Sequence, residues 1–468
     1  VCCVPGFSDF AGLTFKPASE TVNGGVRPAL GAPARQRNLP HPWAKRRAPV
    51  QILFTNATLV TGEPDPASDW GGSLPQARPG MQVLVEGNAI REVSDRPITA
   101  TSATAIDLKG STLMPGLIDC HVHVLAGTLA LGSQAYWPDT HVLLKALPIM
   151  RGMLDRGFTT VRDAAGAPYA LATAQAEGLF VGPRLFVPGK GLSQTGGHGD
   201  VRPRNDGRET AWLDRQLGTM CRIANGVDEV RRACREELRS GAHMIKLMAN
   251  GGVASPTDPI AFLQYSREEI CAAVEEAAMA QTYTMAHLYT DEAIRRAVEC
   301  GVHSLEHCNL IEAETAKLAA LRRCIAVPTL VAYEGLAKDG ARYGLPPESI
   351  AKIETVRIGG LNSLATMRAA GLPMAFGSDL LGELHPQQSD EFRIRAQVLP
   401  AAEILAGATT LAARLIRQVG KLGVVAPGAA ADLLVVDGDP LSDITILSRP
   451  DQVIRGIMQD GRWHKALN

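Results

Sequence analysis

Met114-Pro115-Gly116-Leu117-Ile118-Asp119-Cys120-His121-Val122-His123 is an apolar, strand-like run that ends on two histidines around one valine. Side chains two apart on a strand point to the same side. His121 and His123 can therefore converge on one metal ion. Neutral imidazole is a common ligand for zinc and related ions. A bare His-x-His is more often a pair of ordinary surface histidines, but this one is not alone. Lys246 within Met244–Met248, His287 after Met285-Ala286, His307 after Ser304-Leu305-Glu306 and Asp379 after Phe376-Gly377-Ser378 each end or interrupt a short hydrophobic stretch. Helix-like segments lie between them. A parallel barrel whose active site sits where the strands end needs that arrangement.

The barrel strands are expected at 117–124, 158–163, 184–188, 243–248, 283–288, 302–307, 324–331 and 373–379. Helical stretches separate them, for example Asp228–Ser240 and Ser266–Gln281. The second opens on Ser266-Arg267-Glu268-Glu269, a capping-box pattern. Eight strand–helix units make a (β/α)8 TIM barrel of class α/β. A doubly wound sheet fits less well, because it would spread the ligand-type residues out instead of gathering them around one axis. Runs such as Ile52-Leu53-Phe54, Thr58-Leu59-Val60, Met81–Val85 and Ala89–Val93 precede the barrel, and Ala431–Val436 and Val453–Met458 follow it. Turn signals such as Glu86-Gly87-Asn88 separate them. The two ends are expected to pair into one small β-sandwich. The division is then 1–49 as an extension, 50–114 and 423–468 as the two parts of the β domain, and 115–422 as the barrel.

Composition narrows the class. The chain is 46% hydrophobic and 20% charged, which is ordinary globular usage. A formal net charge of −1 excludes a globally polyanion-binding surface, and with it nucleic acid as the expected partner. Lys45-Arg46-Arg47 is a compact basic run that reads as a solvated tail. No apolar stretch reaches the ~18–20 residues of a membrane span. The nine cysteines are scattered without a C-x-x-C pair, so reduced thiols and a cytoplasmic location are expected. Cys120 and Cys308 adjoin ligand-type histidines, but strand alternation turns them away as packing residues. Residues 1–49 are rich in Gly, Pro, Arg and Asn without periodicity and read as a disordered extension. They lack the basic and apolar regions of a signal peptide. The missing initial Met raises a true start near Val50 as a further expectation.

The lysine is the puzzle of the set, because a free ammonium repels a metal. Either Lys246 leaves the barrel or pairs with an acid, or its neutral amine has reacted with carbon dioxide to give a carbamate. Two nearby cations favour that anion, and its two oxygens can bridge them. The carbamate reading places His121, His123, Asp379 and one carbamate oxygen on a first ion, with His287, His307 and the other oxygen on a second. A hydroxide held between two cations is a nucleophile at neutral pH. Asp379 can ligate one ion, take the hydroxide proton and later deliver it to a leaving amine.

These residues resemble the amidohydrolase superfamily, in its binuclear form with a carboxylated lysine. The similarity runs from about residue 51 to 468. Its opening P-G-L-I-D-x-H-x-H stands at 115–123. Its closing G-x-x-x-x-G-x-x-A-D stands at Gly423–Asp432, followed by Asp437-Gly438-Asp439-Pro440. Leu192–Asp200, Lys246–Val253, His287-Leu288-Tyr289-Thr290 and Gly377–Glu383 are similar to the branch holding prolidase-like and Xaa-Arg dipeptidases and fungal ochratoxinase. The resemblance implies cleavage of an amide whose leaving group is an amino acid. It also implies two divalent ions, zinc by preference, with N6-carboxylysine at Lys246. Imidazolonepropionase, a neighbouring family, typically keeps one metal and lacks this lysine.

The loop Gly196-Gly197-His198-Gly199 lacks the Lys-Ser/Thr of a phosphate loop. It is expected after the third strand, bringing His198 over the metals to a substrate carbonyl or carboxylate; the bland alternative is a histidine satisfied within its loop. Tyr289 shares the face of His287, and its phenol either binds the carboxylate of the leaving amino acid or packs in the core. Tyr333 is a further substrate candidate, with His141 and Arg393 behind it. His41, His243, His303, His385 and His464 are read as ordinary. The activity expected is hydrolysis of small dipeptides or N-acyl amino acids, on a small-molecule substrate and in a homo-oligomer. The alternatives are an ochratoxin-type amidase, a lactone or cyclic-amide hydrolase or a deaminase. A catalytically inactive scaffold is the alternative of another class, disfavoured because every ligand-type residue is present.

Overall fold

In the computed structural model, which describes residues 50–253, 258–343 and 347–467, the decisive run divides between two structures. Thr112–Pro115 is a strand of a peripheral sheet and Leu117–Val122 is the first barrel strand. The leader 1–49, with its basic run and His41, lies outside the described residues.

Leu117–Val122, Phe158–Asp163 and Arg184–Phe186 pair in parallel. Gly191–Ser193, Ile245–Met248, Thr284–Thr290, Ser304–Leu310 and Ile325–Val327 form a second parallel set, with Cys221–Ile223 on its edge. Backbone hydrogen bonds join the two sets at both seams. His243 N–H donates to Val187 O at 2.8 Å on one side. On the other, Ala375 N–H donates to Ala326 O at 2.9 Å and Cys120 N–H to Phe376 O at 2.8 Å. The molecule is a TIM barrel carrying a small domain built from its N- and C-terminal segments.

Five expected strands are shorter than their apolar runs, and three of these are cut close to a proline. The third keeps Arg184–Phe186 before Pro188, and the seventh keeps Ile325–Val327 before Pro328. The eighth, expected at 373–379, begins at Pro373 and keeps only the bridge between Ala326 and Met374. Proline has no N–H to donate to a ladder, so pairing stops there.

The helices start where their sequence signals stand. Ser266 caps Arg267–Met279, its hydroxyl accepting from Glu269 N–H while the Glu269 carboxylate accepts from Ser266 N–H. Thr290, the last residue of its strand, caps Asp291–Cys300, which Gly301 ends at φ 95°. Cys120 and Cys308 are buried in the packing.

The terminal segments pair into one sheet. Its order runs from Arg462–Lys465 through Ile454–Gln459, Leu433–Val436, Thr112–Pro115 and Gln51–Thr61 to Gln76–Glu86 and Ala89–Ser94. Thr104–Asp107 also pairs with Gln51–Thr61. Phe54, Val83, Leu113, Val435 and Met458, from both ends of the chain, share one core cluster. The two runs expected at 52–54 and 58–60 are one strand with register shifts on either side of Ala57.

Candidate active site

The C-terminal ends of the barrel strands open into a cavity of about 630 Å³. His121, His123, His198, Lys246, His287, Tyr289, His307, Tyr333 and Asp379 all line it. At its floor Asp379 Oδ1 lies 3.3 Å from His121 Nε2 and 3.0 Å from His123 Nε2, and Oδ2 lies 3.8 Å from His307 Nδ1. The ring of His287 stands 4.6 Å from that of His307 and 4.3 Å from that of His198.

Backbone bends bring these side chains together. His307 sits at φ 71° and Asp379 at φ 54°, a region that L residues rarely occupy. Such strain persists where the surroundings over-determine it, commonly at functional sites. The bend at Asp379 is held by its N–H, which donates to His121 O at 2.8 Å. Two residues earlier, a Cβ at Gly377 would come within 2.6 Å of Val327 Cγ1 and 2.9 Å of His121 Cβ. Only glycine lets the eighth segment close this tightly against the first strand.

Two buried carboxylates not among the expected site residues brace the floor. Glu306 Oε2 lies 2.7 Å from His121 Nδ1, so that nitrogen carries a proton toward the carboxylate and Nε2 is the one turned to the floor. The same carboxylate accepts both bonds of a fork from Arg162 Nη2 at 3.0 Å, and Arg162 Nη1 donates to Ser304 Oγ at 3.0 Å. Burial opposes charge on Glu306, but the Arg162 guanidinium outweighs it and holds the carboxyl far below its ordinary range. Asp119 ties the seam from below. Its Oδ1 accepts His121 N–H at 3.0 Å and Ser378 N–H at 3.2 Å, and its Oδ2 accepts from Ser378 Oγ and Gln388 Nε2 at 2.6 and 2.8 Å.

The donor set suits divalent ions. Burial pushes His287 and His307 well below the usual imidazole range, which keeps them in the neutral, ligating form. His287 Nε2–H donates to Gly251 O at 3.2 Å, leaving Nδ1 for coordination. Despite burial, the His121 charge holds the Asp379 carboxyl well below its usual value. His121, His307 and Asp379 offer ligand atoms within 4.8 Å of one another. Lys246 stays inside the barrel, 1% exposed. Burial lowers its pKa, and it makes no hydrogen bond or ion pair among the described residues. It therefore does not leave the barrel, and the charges of Glu306 and Asp379 favour its ammonium form against burial.

Around the floor stand the substrate candidates. Tyr333 O–H donates to the Tyr289 oxygen at 3.0 Å, which frees the Tyr289 proton for another acceptor. Burial raises both phenols above their ordinary pKa, so both remain donors. His198 reaches over the cavity on the loop after Gly191–Ser193, its Nδ1 3.2 Å from Asp258 Oδ2. His141 and Arg393 are exposed and do not line the cavity. His243, His303, His385 and His464 are absent from its lining too.

Comparison with known proteins follows the same lines. The amidohydrolase family profile matches residues 112–463. Ochratoxinase from Aspergillus niger is 33% identical over 376 residues, covering 76% of this chain and 76% of that protein. A prolidase solved with N-methylphosphonate-L-proline is 48% identical, with a TM-score of 0.84 over 89% of this chain and 100% of the other. A Xaa-Pro dipeptidase solved with methionine in its active site is 27% identical, with a TM-score of 0.76 over 89% and 100% of the two chains.

Proposed function

The chain belongs to the amidohydrolase family and is a hydrolase acting on C–N bonds, and from that premise we propose that it cleaves the amide of small dipeptides or N-acyl amino acids. The observation that carries this reading is the meeting of Asp379 with His121, His123 and His307 on the floor of a cavity that also presents His198 and Tyr289. His121, His123 and Asp379 would hold one divalent ion, and His287 and His307 a second, with carboxylated Lys246 between them. Divalent ions bound there would lower the pKa of water from ~15.7 to about 7 and polarise the scissile carbonyl. We take zinc as the preferred ion, because imidazole and carboxylate donors suit it.

The protein's own groups do the rest. Asp379 receives a proton on its carboxylate from the attacking water and returns it to the nitrogen of the leaving amine. Glu306 keeps the His121 proton on Nδ1 throughout, so the Nε2 lone pair stays aimed at the floor. The Tyr289 hydroxyl donates to the carboxylate of the leaving amino acid, with Tyr333 fixing the phenol from behind. His198 meets the substrate through the ring edge opposite Asp258. The relatives solved with a proline phosphonate and with methionine support an amino acid as one half of the substrate.

The test is turnover of a dipeptide and N-acyl amino acid library by purified, zinc-supplemented protein, with amino-acid release as the readout. Hydrolysis confined to lactones, cyclic amides or heterocyclic amines would replace this reading. A homo-oligomer is a separate expectation, checked by light scattering.

A further inference from the structure

We propose that Asp258 is a positioning residue for His198: from the loop after the fourth barrel strand it clamps the imidazole so that only the Nε2 edge is offered to the substrate. This rests on the reading of His198 as a substrate contact.

Asp258 is fully buried beside the cavity. Its Oδ2 accepts from Gly252 N–H at 3.0 Å, from Gln264 Nε2 at 3.0 Å and faces His198 Nδ1 at 3.2 Å. An oxygen already accepting two N–H groups is an acceptor toward the third, so Nδ1 of His198 carries the hydrogen. The carboxamide of Gln264 grips the same residue a second time, its Oε1 accepting His198 N–H at 2.9 Å. Backbone and ring of His198 are thus both held by one loop.

The faces of the ring are fixed as well. One stacks on His287, with centroids 4.3 Å apart and planes 14° apart. The backbone of Gly252 approaches the ring so closely that a Cβ there would fall on it. The loop is itself anchored. Asn250 Nδ2 donates to Ile260 O and Phe262 O at 2.8 Å, and Lys352 Nζ donates to Gly252 O at 3.0 Å and Asp258 O at 3.1 Å. With both faces and the Nδ1 edge occupied, the Nε2 edge is the part of the ring left for the cavity it lines.

Long-range 1H–15N spectra of histidine-labelled protein at one fixed pH read this directly, with the His198 signal assigned by its loss in His198→Gln. Wild-type protein is expected to show a protonated Nδ1 on His198. Asp258→Ala should replace it with a mixture of tautomers. Asp258→Asn, whose amide oxygen still accepts, should keep it, and serves if the alanine variant fails to fold. A wild-type ring protonated only on Nε2, or a ring unchanged in Asp258→Ala, overturns the clamp. On a substrate from the library, Asp258→Ala should lower kcat/KM by about 10- to 100-fold through KM, the scale of a misplaced contact, and Asp258→Asn should recover most of it. A ring released in Asp258→Ala with KM unchanged keeps the clamp and instead removes His198 from the substrate.

Discussion

The proposed reaction asks two things of the one Asp379 carboxylate, and its surroundings suit both. His121 favours its charge, as a base would need, and its backbone is pinned by a bond to His121 O that does not involve the side chain. Asp379→Asn should therefore keep the fold while lowering kcat by ~100- to 10,000-fold, the usual worth of general acid–base transfer. Matching melting curves with near wild-type turnover would remove Asp379 as the proton carrier. Lys246 makes a separate prediction. A buried amine is costly as a cation, and the carboxylation proposed for it would convert it to an anion between two cations. Elemental analysis should find about two divalent ions per chain in wild-type protein, as two-metal sites require. Lys246→Ala should lose metal and most activity, and bicarbonate with excess metal should speed recovery of chelated wild type. One ion or none in active, unchelated enzyme would sink the binuclear reading. All of these side chains were legible as residue types at strand ends. Glu306 and Asp119 were not, because a carboxylate on a strand looks the same in sequence whether it faces solvent or braces a histidine. Nor was the left-handed backbone at His307 and Asp379, since neither residue type announces it.

At the scale of elements, apolar runs located the strands and prolines cut three of them short. The eighth segment shows why its pattern reads as a longer strand than forms. Its apolar residues are buried like those of a strand, but Pro373 and the turn at Asp379 leave it a single bridge to its neighbour. Capping signals were read more sharply, because a cap is a local bond between neighbours: Ser266 and Glu269 make theirs without help from the rest of the fold. The short helix Gly382–Gln387 beyond the eighth segment carries a pH-sensitive contact. His385 is buried there and donates Nε2–H to Ala126 O at 3.0 Å, and burial pushes its pKa down to about 4. In the unfolded chain the same ring titrates near 6.5. Below that value the unfolded chain binds a proton that the folded chain refuses until about 4. The stability contributed by the neutral ring is complete above about 6.5 and lost as the pH falls toward 4. Thermal melts of chelated protein at pH 7.5 and pH 5 should show a smaller loss for His385→Gln than for wild type. Parallel losses would mean that this ring does not titrate on unfolding.

Across the whole molecule, the barrel, closed at both seams, gathers onto one floor side chains that lie up to 258 positions apart, from His121 to Asp379. The peripheral sheet meets the barrel at Gly116, whose N–H donates to Asp432 O, so the C-terminal segment is fastened at the opening of the first strand. That closure also fixes the charges a substrate meets. Among the described residues, the lysine and arginine side chains lining the cavity are Lys246, on the floor and anionic once carboxylated, and Arg202, which is bonded to Asp200 at 2.8 and 2.7 Å. In the proposed reading a substrate carboxylate would meet the Tyr289 hydroxyl, the His198 ring and the ions held on the floor. An anion moved into such a site without partners costs several kcal/mol, and so does a site built for an anion when none arrives. Amidating the C-terminus of a good dipeptide substrate should therefore reduce kcat/KM by about 100-fold or more, at roughly 1.4 kcal/mol per tenfold. Tyr289→Phe should shrink that difference, because the variant has already lost the donor that tells acid from amide. Proline or an apolar residue on the carboxyl side is the expected preference, in keeping with the prolidase relative. Equal rates for acid and amide in the wild type would refute the carboxylate anchor, and would turn the search toward substrates that the same floor can hydrolyse without one.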